Sequence, residues 1–134
     1  GLSILNHIPE KDGILADLLL CEVAARFGHP LSTVLDEIYA KYGCYQSERL
    51  DIYYPEEKKK EFFESLKSNP PKEIAEMKVE DFSGTDGVRI LLSNKSWILI
   101  RPSGTEPLIR AYVESTSEEG FTALKEYAQK ILSF

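Results

Sequence analysis

The chain has 134 residues, 43% of them hydrophobic and 28% charged, with a formal net charge of −6. That is the composition of a folded globule rather than a disordered tail, and the length allows one domain, or one small domain with a piece of another. An acidic chain without a dominant basic block argues against nucleic-acid binding. No apolar run approaches the roughly 20 residues of a membrane span.

No basic n-region with an apolar stretch and a cleavage site is visible. The chain starts at Gly1, not Met, and so reads as a processed or excised piece. The two cysteines, Cys21 and Cys44, cannot build a disulfide framework or a Cys-rich zinc site, and a reducing, cytoplasmic setting is expected. Cys21 falls in helical phase with Ile14, Leu18 and Ala25, as a small buried hydrophobe would. His7 and His29 are too far apart for a local metal motif. The one basic cluster, Lys58-Lys59-Lys60, follows Glu56-Glu57 and reads as the solvated face of a helix.

Taken in order, Pro9 and Gly13 punctuate a loop, and Asp12 can cap a helix. Ile14, Leu15, Leu18, Leu19, Val23 and Phe27 give that helix an apolar stripe wide enough to imply deep burial, more than this chain need supply by itself, and Gly28 stops it. A second helix is expected from Ser32 to Gly43. Leu50, Ile52 and Tyr54 then alternate with polar neighbours as a strand does. Pro55 suits a first helical position, with Phe62, Phe63 and Leu66 facing the core and Asn69-Pro70-Pro71 as the stop. Strands follow at Lys78–Phe82, Val88–Leu92, Ser96–Arg101 and Leu108–Glu114. Thr116 with Glu119 forms a capping-box pattern before a last helix striped by Phe121, Leu124, Ala128 and Ile131. The layout is α+β. A boundary near Gly43 separates residues 1–43, which look like the end of something else, from residues 44–134, a sheet with helices on one face.

The stretch Arg101-Pro102-Ser103-Gly104-Thr105-Glu106-Pro107 has the makings of an anion receptor. Arg101 offers a planar fork for two phosphate oxygens. Ser103 and Thr105, two residues apart, would aim both hydroxyls one way from an extended backbone. Gly104 lets the main chain turn so that N–H groups converge into a nest. Glu106 suits a role in holding Arg101 or Arg110 in its rotamer. The same residue types also make an ordinary polar loop.

This string, followed three residues later by Arg110, closely resembles the phosphate-binding loop in the C-terminal domain of the α-D-phosphohexomutases, the phosphoglucomutases and phosphomannomutases. Gly1-Leu2-Ser3-Ile4 and His7-Ile8-Pro9-Glu10-Lys11-Asp12-Gly13 resemble the segment just after that family's sugar-binding loop, at the end of its third domain. The two matches come in the right order and span essentially the whole chain.

The resemblance implies a TBP-like C-terminal domain over 44–134, preceded by the end of the third domain and a linker helix over 1–43. It implies a phosphoserine enzyme that moves phosphate between the 1- and 6-positions of a hexose through a hexose 1,6-bisphosphate, with Mg²⁺ held by aspartates of an upstream domain. Arg101, Ser103, Gly104 and Thr105 carry over as phosphate-binding residues, with Glu106 and Arg110 in support. Lys11 carries over as a general acid or charge stabiliser near the reacting phosphate, and its alternative is a solvated loop lysine. His7 carries over as a ligand or packing residue of the same loop. The implied partners are a hexose phosphate and the upstream catalytic domains, with no nucleic acid and no membrane. The phosphoserine motif and the Asp-rich metal loop are not in this chain, so catalysis by it alone is not expected. The His7–Gly13 segment looks more like the glucose branch than the glucosamine branch. Two other functions compete: a stand-alone phosphate-sensing module without catalysis, and, disfavoured by charge, a nucleic-acid-binding sheet.

Overall fold

The computed structural model describes residues 2–133. They divide into two compact units, with the boundary between Gly43 and Cys44.

The first unit carries two helices, α1 (Gly13–Phe27) and α2 (Leu31–Tyr42). Asp12 caps α1 as expected, its carboxylate accepting the Leu15 N–H at 3.0 Å. The chain leaves α1 through Gly28 at φ 66, the left-handed conformation that glycine adopts without a Cβ penalty. The second helix starts one residue before the expected Ser32, with Pro30 at the N-cap. The deep burial expected for α1 is not found in this unit. No described residue of either helix is buried, Ile14 is 78% exposed, and Cys21 is exposed rather than a core hydrophobe. A helix that is apolar around most of its circumference needs more than one neighbouring helix to cover it.

The second unit runs β1 (Gln46–Tyr53), α3 (Glu56–Ser68), β2 (Glu73–Ile74), β3 (Met77–Ser83), β4 (Val88–Leu92), β5 (Trp97–Pro102), β6 (Leu108–Ser115) and α4 (Glu118–Leu132). The six strands form one sheet in the order β1-β6-β5-β4-β3-β2, antiparallel throughout. The fold is α+β, as expected. Alternation decides the faces. Ile109, Ala111 and Val113 of β6, with Ile98 and Ile100 of β5 and Val88, Ile90 and Leu92 of β4, lie buried on one side. Leu124, Ala128 and Leu132 of α4 complete this core, joined by half-buried Phe62, Phe63 and Leu66 of α3. Each fully buried Leu or Ile contributes about 1.5–3 kcal/mol of transfer free energy. The opposite face keeps the charged residues, Arg101 and Arg110 among them.

Four details depart from the sequence expectation. Strand β2 and its hairpin were not expected. The turn uses Ala75 and Glu76 at positive φ, without the Gly or Asn that usually marks one. Strand β5 begins at Trp97 and extends through Pro102, where the missing N–H falls at the strand's end. Pro55 is the N-cap of α3, in extended backbone, not its first helical residue. The cap of α4 is Ser117, whose hydroxyl accepts the Gly120 N–H at 3.1 Å, and Thr116 stays outside.

Candidate functional site

Residues 103–107 join β5 to β6 and are braced from within and from below. Ser103 is 3% exposed. Its Oγ accepts the N–H groups of Glu106 at 3.3 Å and Thr105 at 3.5 Å, closing a turn over Gly104. The Ser103 N–H donates to the Leu108 carbonyl and the Leu108 N–H to the Glu106 carbonyl, so both ends of the loop are fastened to each other. From below comes Lys59 of α3, 4% exposed. Its Nζ donates to the carbonyls of Ser103 at 3.1 Å and Glu106 at 2.8 Å and to the Glu56 carboxylate at 2.5 Å. Three ammonium donors thus meet three acceptors.

Two arginines stand beside this loop, directly opposite each other on adjacent strands: Arg101 of β5 pairs in register with Arg110 of β6. Like charges in that relation destabilise a sheet unless something neutralises them. Acids at the rim do so. Arg101 meets Asp86 at 2.9 Å; Arg110 meets Glu106 at 2.9 Å and Asp51 at 3.8 Å. The Nε atoms of both arginines are buried and lack a hydrogen-bond partner among the described residues. Asp86 reaches Arg101 because the turn before β4 packs tightly on β5. Gly87 has φ 81, and a Cβ there would lie 2.3 Å from the Ile100 carbonyl oxygen and 2.8 Å from Arg101 Cγ.

The expected site residues therefore sit as follows. Arg101, Ser103, Gly104, Thr105, Glu106 and Arg110 share one corner of the second unit. Ser103 and Thr105 do not aim their hydroxyls the same way, because the loop bends at once after β5; Ser103 turns inward as a brace and Thr105 is exposed. Gly104 does not need positive φ, and a Cβ on it would meet nothing within 4 Å. Neither backbone conformation nor crowding therefore requires glycine at this position. Glu106 holds Arg110, not Arg101.

Sequence reading missed Lys59, placing it on a solvated face. The signal was there: Lys59 precedes Phe62, Phe63 and Leu66 by three, four and seven residues, which puts it on the apolar face of α3.

His7 and Lys11 belong to the first unit. His7 Nε2 lies 2.9 Å from the Asp12 carboxylate, tying the loop to the start of α1. The Leu15 N–H first, and then the His7 side chain, hold the Asp12 carboxyl below its ordinary value. Lys11 is exposed, and its backbone N–H donates to the Glu10 carboxylate at 2.8 Å. Among the described residues, no group of three or more His, Cys, Asp or Glu side chains could hold a metal ion. None of their helices is long and apolar enough to cross a membrane.

Known proteins resemble the chain over both of its units. Residues 53–131 match the family model for the phosphoglucomutase/phosphomannomutase C-terminal domain, and residues 1–42 match that for alpha/beta/alpha domain III of the same family. A protein named probable phosphoglucosamine mutase from Methanothermobacter thermautotrophicus is 39% identical over 108 residues, covering 81% of this chain and 22% of the relative. A phosphoglucomutase/phosphomannomutase from Thermococcus kodakarensis is 31% identical over 132 residues, covering 98% of this chain and 26% of the relative. A phosphoglucosamine mutase from Methanococcus maripaludis is 35% identical over 115 residues, covering 86% and 24%. The chain spans roughly a quarter of the length of these curated relatives. By these matches the chain belongs to the phosphoglucomutase/phosphomannomutase family, and its second unit is that family's C-terminal domain.

Proposed function

We propose that residues 44–134 grip the non-reacting phosphate of a hexose phosphate in a phosphohexomutase, and that residues 1–43 end the domain before it. The observation that carries this reading is the cross-strand pair Arg101 and Arg110, two like charges held face to face beside a braced loop. Such a pair, neutralised here by Asp86, Glu106 and Asp51, is well matched to a phosphate that takes the place of one carboxylate.

In this reading the Arg101 guanidinium leaves Asp86 and takes two phosphate oxygens. The Gly104 N–H and the Thr105 hydroxyl add neutral donors, and the missing Cβ of Gly104 lets the anion approach the backbone. Arg110, steered by Glu106, lends a second positive charge. Ser103 serves by closing the turn. Lys11 is the proposed acid or charge stabiliser at the reacting phosphate, with His7 as its loop neighbour, braced by Asp12. The whole protein would move a phosphoryl group from a phosphoserine to the sugar and take one back from the bisphosphate, so positioning and charge stabilisation are the protein's main work. Mg²⁺ supplies charge neutralisation in that family. The described residues do not fit a Mg²⁺ site, so its ligands and the phosphoserine would belong to upstream domains.

For the sugar, glucose is proposed on the His7–Gly13 segment, with mannose next. The names of several relatives favour a second reading, glucosamine phosphate. The test is a coupled assay of the longer protein with glucose 1-phosphate, mannose 1-phosphate and glucosamine 1-phosphate, each with Mg²⁺ and the matching bisphosphate. Arg101→Lys should lower kcat/KM for every accepted sugar. Unchanged kinetics would remove Arg101 from the site, and exclusive use of glucosamine 1-phosphate would overturn the glucose reading.

A further inference from the structure

We propose that Lys59 is the positioning residue of the phosphate loop: by binding the Ser103 carbonyl from below, it turns the Gly104 N–H outward toward the anion. The inference rests on the phosphate-site reading above. A trans peptide is planar, and its C=O and N–H point in opposite directions. The described chain holds no cis peptide bond. Fixing the Ser103 oxygen on Lys59 Nζ at 3.1 Å therefore fixes the Gly104 N–H on the far side of the loop. Gly104 itself is exposed, and a Cβ on it would touch nothing within 4 Å. The Gly104 N–H has no partner among the described residues, so it stands free for a ligand.

The second bond, to the Glu106 carbonyl at 2.8 Å, fixes the other end of the turn. Glu106 also carries the carboxylate that steers Arg110, so one ammonium anchors both the neutral and the charged donors. Packing alone does not explain a lysine here. Position 59 lies on the apolar face of α3, where Met or Leu would avoid the cost of desolvating a charge. What lysine supplies and Met or Leu cannot is a set of donors at the end of a long stem, two of them aimed at carbonyls 44 and 47 residues away in sequence and the third at Glu56.

The test uses Lys59→Met, which keeps most of the volume and removes the donors. The ¹⁵N-labelled 134-residue chain is titrated with inorganic phosphate into the millimolar range. In wild type, the Gly104 and Thr105 amides should shift with phosphate. In Lys59→Met, with the core methyl signals of Ile98, Ile100 and Ile109 unchanged, the affinity should fall about tenfold or more, the loss of one hydrogen bond to a charged group. The Gly104 amide should already be displaced without phosphate. A folded Lys59→Met that binds phosphate as wild type does overturns the positioning role alone. A wild-type loop blind to phosphate overturns the phosphate-site reading, and this inference with it. Should Lys59→Met not fold, the wild-type Lys59 Nζ resonance carries the test. It should move in step with the Gly104 amide, and an Nζ signal indifferent to phosphate while Gly104 responds overturns the role.

Discussion

Gly87→Ala should be one of the most damaging single-methyl additions in the second unit, and it should act on Arg101 as well as on stability. The new Cβ would lie 2.3 Å from the Ile100 carbonyl oxygen, 2.8 Å from Arg101 Cγ and 3.1 Å from Arg101 Cα. The backbone at φ 81 adds the left-handed penalty of an L-residue, about 1–2 kcal/mol. The clash cannot be relieved by a rotamer change, because Ile100 belongs to β5, a central strand bonded on both sides. Overpacking of this kind costs typically about 1–3 kcal/mol, so the sum is roughly 2–5 kcal/mol. For a unit of this size each kcal/mol lowers Tm by about 4–8 °C. Thermal denaturation by circular dichroism would therefore register a drop of roughly 8–40 °C or outright unfolding. A milder readout is the Arg101 Nε resonance, which should move as the Asp86 turn lifts from β5. A Gly87→Ala chain with unchanged Tm and an unshifted Arg101 signal would refute the tight seating of that turn.

Leu124→Ala, at a fully buried position of α4, should cost about 2–5 kcal/mol in chemical denaturation, while a loss below about 1 kcal/mol would mean the α4–sheet core is loosely packed. Arg101→Lys should keep the fold and weaken hexose-phosphate binding by about 1.5–3 kcal/mol in titration calorimetry of the longer protein, since charge remains but the fork is lost. Asp86→Asn should do the reverse, freeing Arg101 and raising phosphate affinity a few-fold, and weaker binding would show that Asp86 orders Arg101 for the ligand. Asp12 gives a pH signature. Its folded carboxyl lies below the unfolded value of 3.8, so its stabilisation of α1 is present above that value and lost as pH falls through the lower folded one. Helicity of α1 followed by NMR should drop in that window for wild type, and in Asp12→Asn the drop should be absent.

Much of this fold is legible in the chain because one face of each long element is apolar. The alternation from Ile109 to Glu114 assigns those β6 residues to their faces, and Asp12 with the apolar stripe after it announces α1. What is illegible has specific causes. The β2–β3 hairpin turns on Ala75 and Glu76, whose residue types carry no turn signal. Thr116 and Ser117 are both good caps, and residue type alone does not mark Ser117 as the one whose Oγ accepts the Gly120 N–H. The site divides in the same way. Arg101, Thr105 and Arg110 are readable as donors, and the inward turn of Ser103 is not, since it depends on the bend after Pro102. Lys59 is hidden by its neighbours Lys58 and Lys60 and by partners that are backbone carbonyls far away in sequence. Asp86 is hidden because only the packing of Gly87 on β5 brings it to Arg101.

A crystal structure of the 134-residue chain grown or soaked with glucose 6-phosphate bears most directly on the phosphate clamp. The phosphate should lie between the Arg101 guanidinium and the Gly104 N–H, within hydrogen-bond distance of both, with Arg101 withdrawn from Asp86 and Thr105 Oγ1 turned toward the anion. A phosphate bound elsewhere on the second unit, with Arg101 still paired to Asp86 at saturating ligand, would contradict it.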